Sequence, residues 1–123
     1  MKIVFEIAEH TDQYIDDLDF DNEVKIKPYL VVNHSVYELP KMLYANELIS
    51  TEPITIQFDF GNKTHIKQFL HPPFTRRHLA RVICSELKHI YGIYQPGWSF
   101  TQEMRLENVI LKDNIYMVNY YLI

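Results

Sequence analysis

Apolar and polar residues alternate over residues 54–60, whereas apolar residues recur at intervals of three and four over residues 75–91. The first pattern is typical of a β-strand with one buried face, and the second is typical of an amphipathic helix. Thr75 is a suitable N-cap and Gly92 is a natural helix terminator. We therefore expect a helix over 75–91. Its apolar positions are Leu79, Val82, Ile83, Leu87, Ile90 and Tyr91.

The N-terminal half of the chain carries weaker signals. Residues 2–8 alternate like a strand, and residues 12–18 could form a short helix. Residues 24–38 predict a hairpin that turns at Asn33-His34. Because proline suits the first turn of a helix, a second helix is expected from Pro40 to about Ile49.

The loop after residues 54–60 decides the register of the next strand. Gly61-Asn62 is a hairpin signal. A two-residue loop would pair Phe58 with His65, whereas a three-residue loop through Lys63 would pair Phe58 with Ile66. Since one register step moves every side chain to the other face, the apolar match favours the three-residue loop.

The chain ends in a second predicted hairpin, over residues 106–111 and 115–122, with a turn at Asp113-Asn114. Both faces of its last strand are apolar, which is typical of a central, buried strand. The expected fold is a single α+β domain over residues 1–123. A mostly antiparallel sheet of hairpins would pack on the 75–91 helix and on one or two shorter helices.

The composition narrows the function classes. With 47% hydrophobic residues, the chain of 123 residues is typical of a globular domain. Three glycines cannot build a glycine-rich phosphate loop, and one cysteine excludes an intrachain disulfide. The chain carries neither a signal peptide pattern nor an apolar run of about 18 residues. We therefore expect an intracellular, cytoplasmic protein that does not enter a membrane.

The residues that commonly carry chemistry do not form a known motif. The acidic residues 16–23 lack the glycine and the glutamate of a calcium loop. The six histidines lack metal-ligand spacing. Cys84 falls on the apolar face of the predicted helix, so we interpret it as a small buried hydrophobe. No catalytic residue, metal or cofactor is predicted.

The start of the 75–91 helix has an unusual charge pattern. Helix N-termini favour acidic residues, yet Thr75 is followed by Arg76 and Arg77. Two explanations remain open. An acidic residue of the chain, for example in residues 16–23 or at Glu103, could neutralise the arginines. Alternatively, the N-terminus at Thr75, Arg76 and Arg77 could hold an external phosphate or an acidic peptide.

Basic residues continue along the helix and lead to an aromatic loop. Arg77, Arg81, Ser85 and Lys88 share one helical stripe, and residues 93–100 follow it. Arginine, tyrosine and tryptophan are common anchors of protein interfaces. The predicted binding residues are Arg76, Arg77, Arg81, Lys88, Tyr94 and Trp98.

The same helix carries a family resemblance. The motif Phe74-Thr75-Arg76-Arg77-x-Leu79-Ala80-x-x-Ile83, followed by Ile90-Tyr91, resembles an uncharacterised family of giant viruses of amoebae with relatives in plants. The family would continue with an acidic stretch, where this chain has Gly92-Ile93-Tyr94-Gln95-Pro96. The resemblance implies a viral protein of the host cytoplasm, and it implies no activity.

These observations lead to a ranked expectation of function. The first hypothesis is a non-enzymatic protein-interaction module that uses the basic stripe and the aromatic loop. Edge strands of the hairpins offer a second route, including formation of a homo-oligomer. The alternatives are a phosphate or nucleic-acid binder and a small enzyme of unidentified chemistry. The charge is uneven, because residues 1–52 hold 11 acids and 4 bases while residues 53–123 hold 5 acids and 8 bases.

Overall fold

A computed structural model describes residues 1–9, 25–92 and 102–123. These residues form ten β-strands, two α-helices and two 3-10 helices. The strands are β1 (Lys2–Val4), β2 (Ile7–Glu9), β3 (Lys25–Lys27), β4 (Leu30–Val31), β5 (Leu48–Ser50), β6 (Ile54–Phe60), β7 (Lys63–Phe69), β8 (Phe74–Thr75), β9 (Met104–Lys112) and β10 (Ile115–Leu122). The helices are α1 (Ser35–Glu38) and α2 (Arg76–Tyr91), and the 3-10 helices Val32–His34 and Leu39–Lys41 flank α1.

The main sheet orders its strands β1-β9-β10-β6-β7, and β4 also pairs with β9. All of these pairs are antiparallel except β10 with β6, which is parallel. Two small ribbons, β2-β3 and β5-β8, complete the described strands. The predicted α+β fold with a mostly antiparallel sheet is confirmed.

Helix α2 forms where the sequence predicts it. The Oγ1 atom of Thr75 accepts a hydrogen bond from the backbone N–H of His78 at 3.2 Å. Gly92 ends the helix in the left-handed conformation, at φ 66°. That conformation is the usual C-terminal cap and costs glycine little. The helix buries one apolar face, which includes Leu79, Ala80, Ile83, Cys84 and Leu87.

The core lies between α2 and one face of the sheet, here called the inner face. Every second residue of β6 points to it, so that Ile54, Ile56 and Phe58 are buried. The neighbouring β10 adds Tyr116 and Val118. The opposite, outer face keeps apolar residues in contact with solvent, for example Ile110 and Ile66.

The predicted register of β6 with β7 is wrong. Phe58 pairs with His65 rather than with Ile66, because the loop has two residues. Gly61 takes φ 61°, which suits the first central position of a II′ turn. The register turns His65 and Lys67 toward α2, where both contact Glu86. Polar contacts to the helix thus replace the apolar contacts that the pattern predicted.

Residues 24–38 do not form the predicted hairpin. The two 3-10 helices and α1 make one helical stretch, here called the 32–41 segment. Val36 and Tyr37 are 74% and 73% exposed, although their apolar character predicted a strand. The carboxylate of Glu38 accepts a hydrogen bond from the backbone N–H of Val31 at 2.6 Å and contacts Lys27. These contacts fix the chain as it enters the helical segment.

The helix predicted from Pro40 to Ile49 is also absent. Pro40 lies within a 3-10 helix that ends at Lys41, and Tyr44 then takes φ 54°. A positive φ is incompatible with a continuing right-handed helix. The chain instead reaches β5, which pairs with β8.

The ends of the chain agree more closely with the prediction. The C-terminal hairpin turns at Asp113 and Asn114, whose φ values of 52° and 63° suit a I′ turn. Strand β10 lies between β9 and β6, so its central position is confirmed. The prediction that it is buried is wrong for most of the strand, because only Tyr116 and Val118 are buried. The predicted strand 2–8 is divided into β1 and β2, which pair with different partners. The helix predicted at 12–18 falls outside the described residues.

Candidate functional site

The N-terminus of α2 does not provide free donors for an anion. Its first three N–H groups all donate to oxygens of the chain itself. The bonds run from Arg76 to the Glu47 carbonyl at 2.9 Å, from Arg77 to the Ala45 carbonyl at 3.0 Å and from His78 to Oγ1 of Thr75 at 3.2 Å. The predicted anion site at Thr75, Arg76 and Arg77 therefore lacks the main-chain donors that it requires.

The side chain of Arg76 binds groups within the protein. It is only 9% exposed. Its Nη2 lies 3.0 Å from Oε2 of Glu47, and its Nη1 donates to the Val4 carbonyl at 2.6 Å. Its guanidinium also lies 6.0 Å from the centre of the Tyr44 ring. Glu47, rather than Glu103, thus neutralises this arginine.

The remaining predicted cations line a groove between α2 and the 32–41 segment. The volume of the groove is about 500 Å³. Arg77, Arg81 and Lys88 stand on its α2 side, so the structure brings three of the six predicted binding residues together. The full lining comprises Ser35, Val36, Leu39, Pro40, Arg77, Arg81, Cys84, Ser85 and Lys88.

None of these three cations forms an ion pair with a carboxylate in residues 1–9, 25–92 or 102–123. The Nε of Arg77 donates to the Leu39 carbonyl at 3.1 Å. The Nζ of Lys88 donates to Oγ of Ser35 at 2.7 Å. These bonds join the two walls of the groove, and neither bond neutralises the positive charge of its donor.

The other wall of the groove is largely apolar. It presents the exposed side chain of Val36 together with Leu39 and Pro40. Cys84 lies between the walls and is 1% exposed. Burial raises the pKa of its thiol to about 12, against a smaller opposite effect of Lys88. The cysteine is therefore buried as predicted, and it is not a thiolate nucleophile at neutral pH.

A second polar cluster lies on a different side of α2, and the sequence analysis missed it. Glu86 is 6% exposed, and its carboxylate lies 2.9 Å from both Nε2 of His65 and Nζ of Lys67. Burial alone would raise the pKa of Glu86, but the hydrogen bonds from Lys67 and His65 outweigh it and lower that pKa. The sequence does contain a signal for this cluster. Glu86 is an acidic residue on an otherwise apolar helix face, and His65 and Lys67 are alternate residues of β7.

Two further features bear on the function. No group of three His, Cys, Asp or Glu side chains in the described part of the chain could hold a metal ion. Among the same residues, no helix has the length and apolar character needed to span a membrane. The predicted aromatic anchors Tyr94 and Trp98, and the acidic residues 16–23, lie outside the described ranges.

The groove therefore combines two guanidinium groups, one ammonium group, two serine hydroxyls and an apolar wall. Its lining contains neither a histidine nor a carboxylate that could act as a general base. Comparison of the chain with protein-family models, with curated proteins and with solved structures found no match.

Proposed function

We propose that this protein is a non-enzymatic interaction module whose groove binds an acidic segment of a partner protein. The observation that carries the proposal is the row of Arg77, Arg81 and Lys88, three cations without a carboxylate partner in the described residues. A carboxylate ligand would form charge-assisted hydrogen bonds there, and the guanidinium of Arg81 can bind one in a bidentate manner.

The spacing of the cations defines the ligand. Arg81 follows Arg77 by four residues and Lys88 follows Arg81 by seven, on one helix. At 1.5 Å per residue these steps are about 6 Å and about 10 Å along the axis. The partner segment should carry acidic side chains at similar intervals. It should also place an apolar side chain against Val36 and Leu39.

The apolar wall distinguishes a protein ligand from the alternatives. Phosphate and a nucleic-acid backbone have no apolar group to cover the exposed Val36 side chain. The described lining offers a row of three cations, whereas affinity for nucleic acid grows with the number of phosphate contacts. An enzyme would most often use a histidine or a carboxylate as its general base, and the described lining of the groove has neither. The proposed setting is the cytoplasm, that of the host if the protein is viral.

The test measures the fluorescence anisotropy of a labelled synthetic peptide as the protein is titrated into it. The peptide carries glutamates and one leucine at the spacing given above. The variant Arg77→Gln/Arg81→Gln/Lys88→Gln should bind at least about tenfold more weakly, since three charge contacts of roughly 0.5 kcal/mol each are lost. The matched control is Lys2→Gln/Lys25→Gln/Lys112→Gln, which removes three exposed lysines outside the groove.

The control variant should keep the affinity of the wild type, and urea unfolding should show that both variants fold. Equal weakening by the two triple variants would mean that only total charge matters, which refutes the groove. Unchanged binding by the groove variant refutes it as well. If a single-stranded oligonucleotide competes better than unlabelled peptide, the ligand is nucleic acid and the proposal of a protein partner is wrong.

A further inference from the structure

Strand β7 is an edge strand of the main sheet in the described part of the chain. It comes last in the strand order and pairs only with β6 among the described strands. Its seven residues make it longer than β1, the three-residue strand at the other end of that order. Ile66, at its centre, is 55% exposed. An edge of this length presents a row of unpaired main-chain groups to another chain.

The turn before β7 determines which main-chain groups point outward. Phe60 and Lys63 close a two-residue turn and so form a hydrogen-bonded pair. Hydrogen-bonded and non-hydrogen-bonded pairs then alternate along an antiparallel ladder. The residues whose N–H and C=O groups point away from β6 are therefore Thr64, Ile66 and Gln68.

We propose that two copies of this chain associate through β7, which pairs antiparallel with β7 of the second copy around a two-fold axis at Ile66. The main sheets of both copies then become one continuous sheet. Each strand contributes three residues with one outward donor and one outward acceptor, so six main-chain hydrogen bonds can cross the seam. Such an isologous contact is the commonest kind in homodimers.

The charges of β7 select this register. Only registers that place outward-pointing residues opposite one another can form the ladder. A shift that centres the pairing on His65 places Lys63 opposite Lys67 of the second copy, twice. A shift that centres it on Lys67 places the two Lys67 side chains opposite each other. Like charges directly opposite one another destabilise a strand pair.

The register centred on Ile66 avoids both conflicts and overlaps the whole strand. Lys63 then faces Phe69 of the second copy, Thr64 faces Gln68 and Lys67 faces His65. Each Lys67 and each His65 already contacts a buried Glu86 of its own copy, so negative charge lies beneath the seam on both sides. Lys63 and Lys67 therefore disfavour the registers centred on His65 and on Lys67. This restriction limits open-ended aggregation.

Apolar contacts on the outer face agree with the same register. Ile66 lies in a row with Gln57, Met117 and Ile110 across the sheet. Pairing around Ile66 brings the two Ile66 side chains side by side at the centre of the seam. Their exposed surface is thereby covered without any change within either copy.

Cysteine cross-linking tests the register directly. Directly opposite residues of a hydrogen-bonded pair have Cα atoms about 5.5 Å apart, within the range of a disulfide. Under mild oxidation, Ile66→Cys should form a disulfide-linked dimer. Thr64→Cys alone should not, but an equal mixture of Thr64→Cys with Gln68→Cys should form the mixed dimer. The native Cys84 is buried and serves as the unreactive background in the wild type.

Sedimentation equilibrium over a wide concentration range provides the second measurement. The wild type and Ile66→Val should dimerise, whereas Ile66→Pro should remain monomeric. The proline removes an outward N–H and spares the ladder with β6. The groove variant should dimerise like the wild type, so this proposal and the proposed function fail separately. A monomeric wild type, a dimer that survives Ile66→Pro, or cross-linking of Thr64→Cys alone would each overturn the proposal.

Discussion

Replacing Arg76 tests whether this arginine acts inside the protein or at its surface. Arg76→Ala removes the donor of the 2.6 Å hydrogen bond to the Val4 carbonyl. Leaving this part-buried carbonyl without its donor costs about 1–3 kcal/mol. The lost ion pair with Glu47 adds at most about 1 kcal/mol, because the Glu47 side chain is 52% exposed and well hydrated. We expect the free energy of unfolding to fall by about 3 kcal/mol.

The assay is urea unfolding, in which the midpoint should fall by about 1.5 M with an unchanged slope. Arg81→Ala is the matched control, because Arg81 is exposed and its loss should change the free energy of unfolding by no more than about 0.5 kcal/mol. Arg76→Lys should lie between the two, since an ammonium group cannot reach both acceptors as the guanidinium fork does. Equal stability of Arg76→Ala and Arg81→Ala would refute the structural role of Arg76.

Three further predictions concern single residues. Hydrogen bonds from Lys67 and His65 outweigh the effect of burial and lower the pKa of Glu86. The ionised carboxylate therefore stabilises the fold at pH values above its unfolded-state pKa of about 4.3. This stabilisation is lost as the pH falls through the lower folded-state pKa. Glu86→Gln should therefore show a flatter loss of stability in acid, measured by urea unfolding at several pH values; an unchanged pH profile contradicts the cluster. Cys84, with its pKa raised to about 12, should react with thiol reagents at mildly alkaline pH only after denaturation, and rapid labelling of the native protein would show that it is accessible. Gly61→Ala should lower the free energy of unfolding, measured by heat or urea, by about 1 kcal/mol. The cost comes from the φ of 61° alone, because an added Cβ meets no atom within 4 Å. An unchanged free energy of unfolding would mean that the turn relaxes.

The elements that can be predicted from the sequence are those in which several local signals agree. Helix α2 and the hairpin of β9 and β10 were predictable because caps, turn residues and periodicity all agree there. The 32–41 segment was not, because its valines and tyrosine favour a strand locally while the contacts of Glu38 with Lys27 and Val31 fix a helical path. Those contacts join residues of different elements and leave no periodic trace in the sequence.

The candidate site, too, could be predicted from the sequence only in part. The row of Arg77, Arg81 and Lys88 follows from helical spacing alone, so one wall of the groove could be predicted. The other wall consists of the 32–41 segment, which the pattern assigned to a hairpin and a helix, and so the groove itself could not. Arg76 was predicted to bind with these residues, but its side chain is buried within the protein. It precedes Arg77 by one residue and so lies about 100° away from it around the helix.

The net charge of −4 does not argue against an acidic ligand in this groove. All 12 basic residues lie in the described part of the chain, together with only 10 of the 16 acidic ones, and residues 10–24 hold the other six. At physiological ionic strength charges are screened over about 8 Å, so a bound peptide senses the nearest groups far more than the total charge. Among the described residues, the cations that line the groove are Arg77, Arg81 and Lys88, whereas Lys67 and Arg76 are neutralised by Glu86 and Glu47. Local compensation, rather than net charge, therefore determines which cations of this chain are available to a ligand.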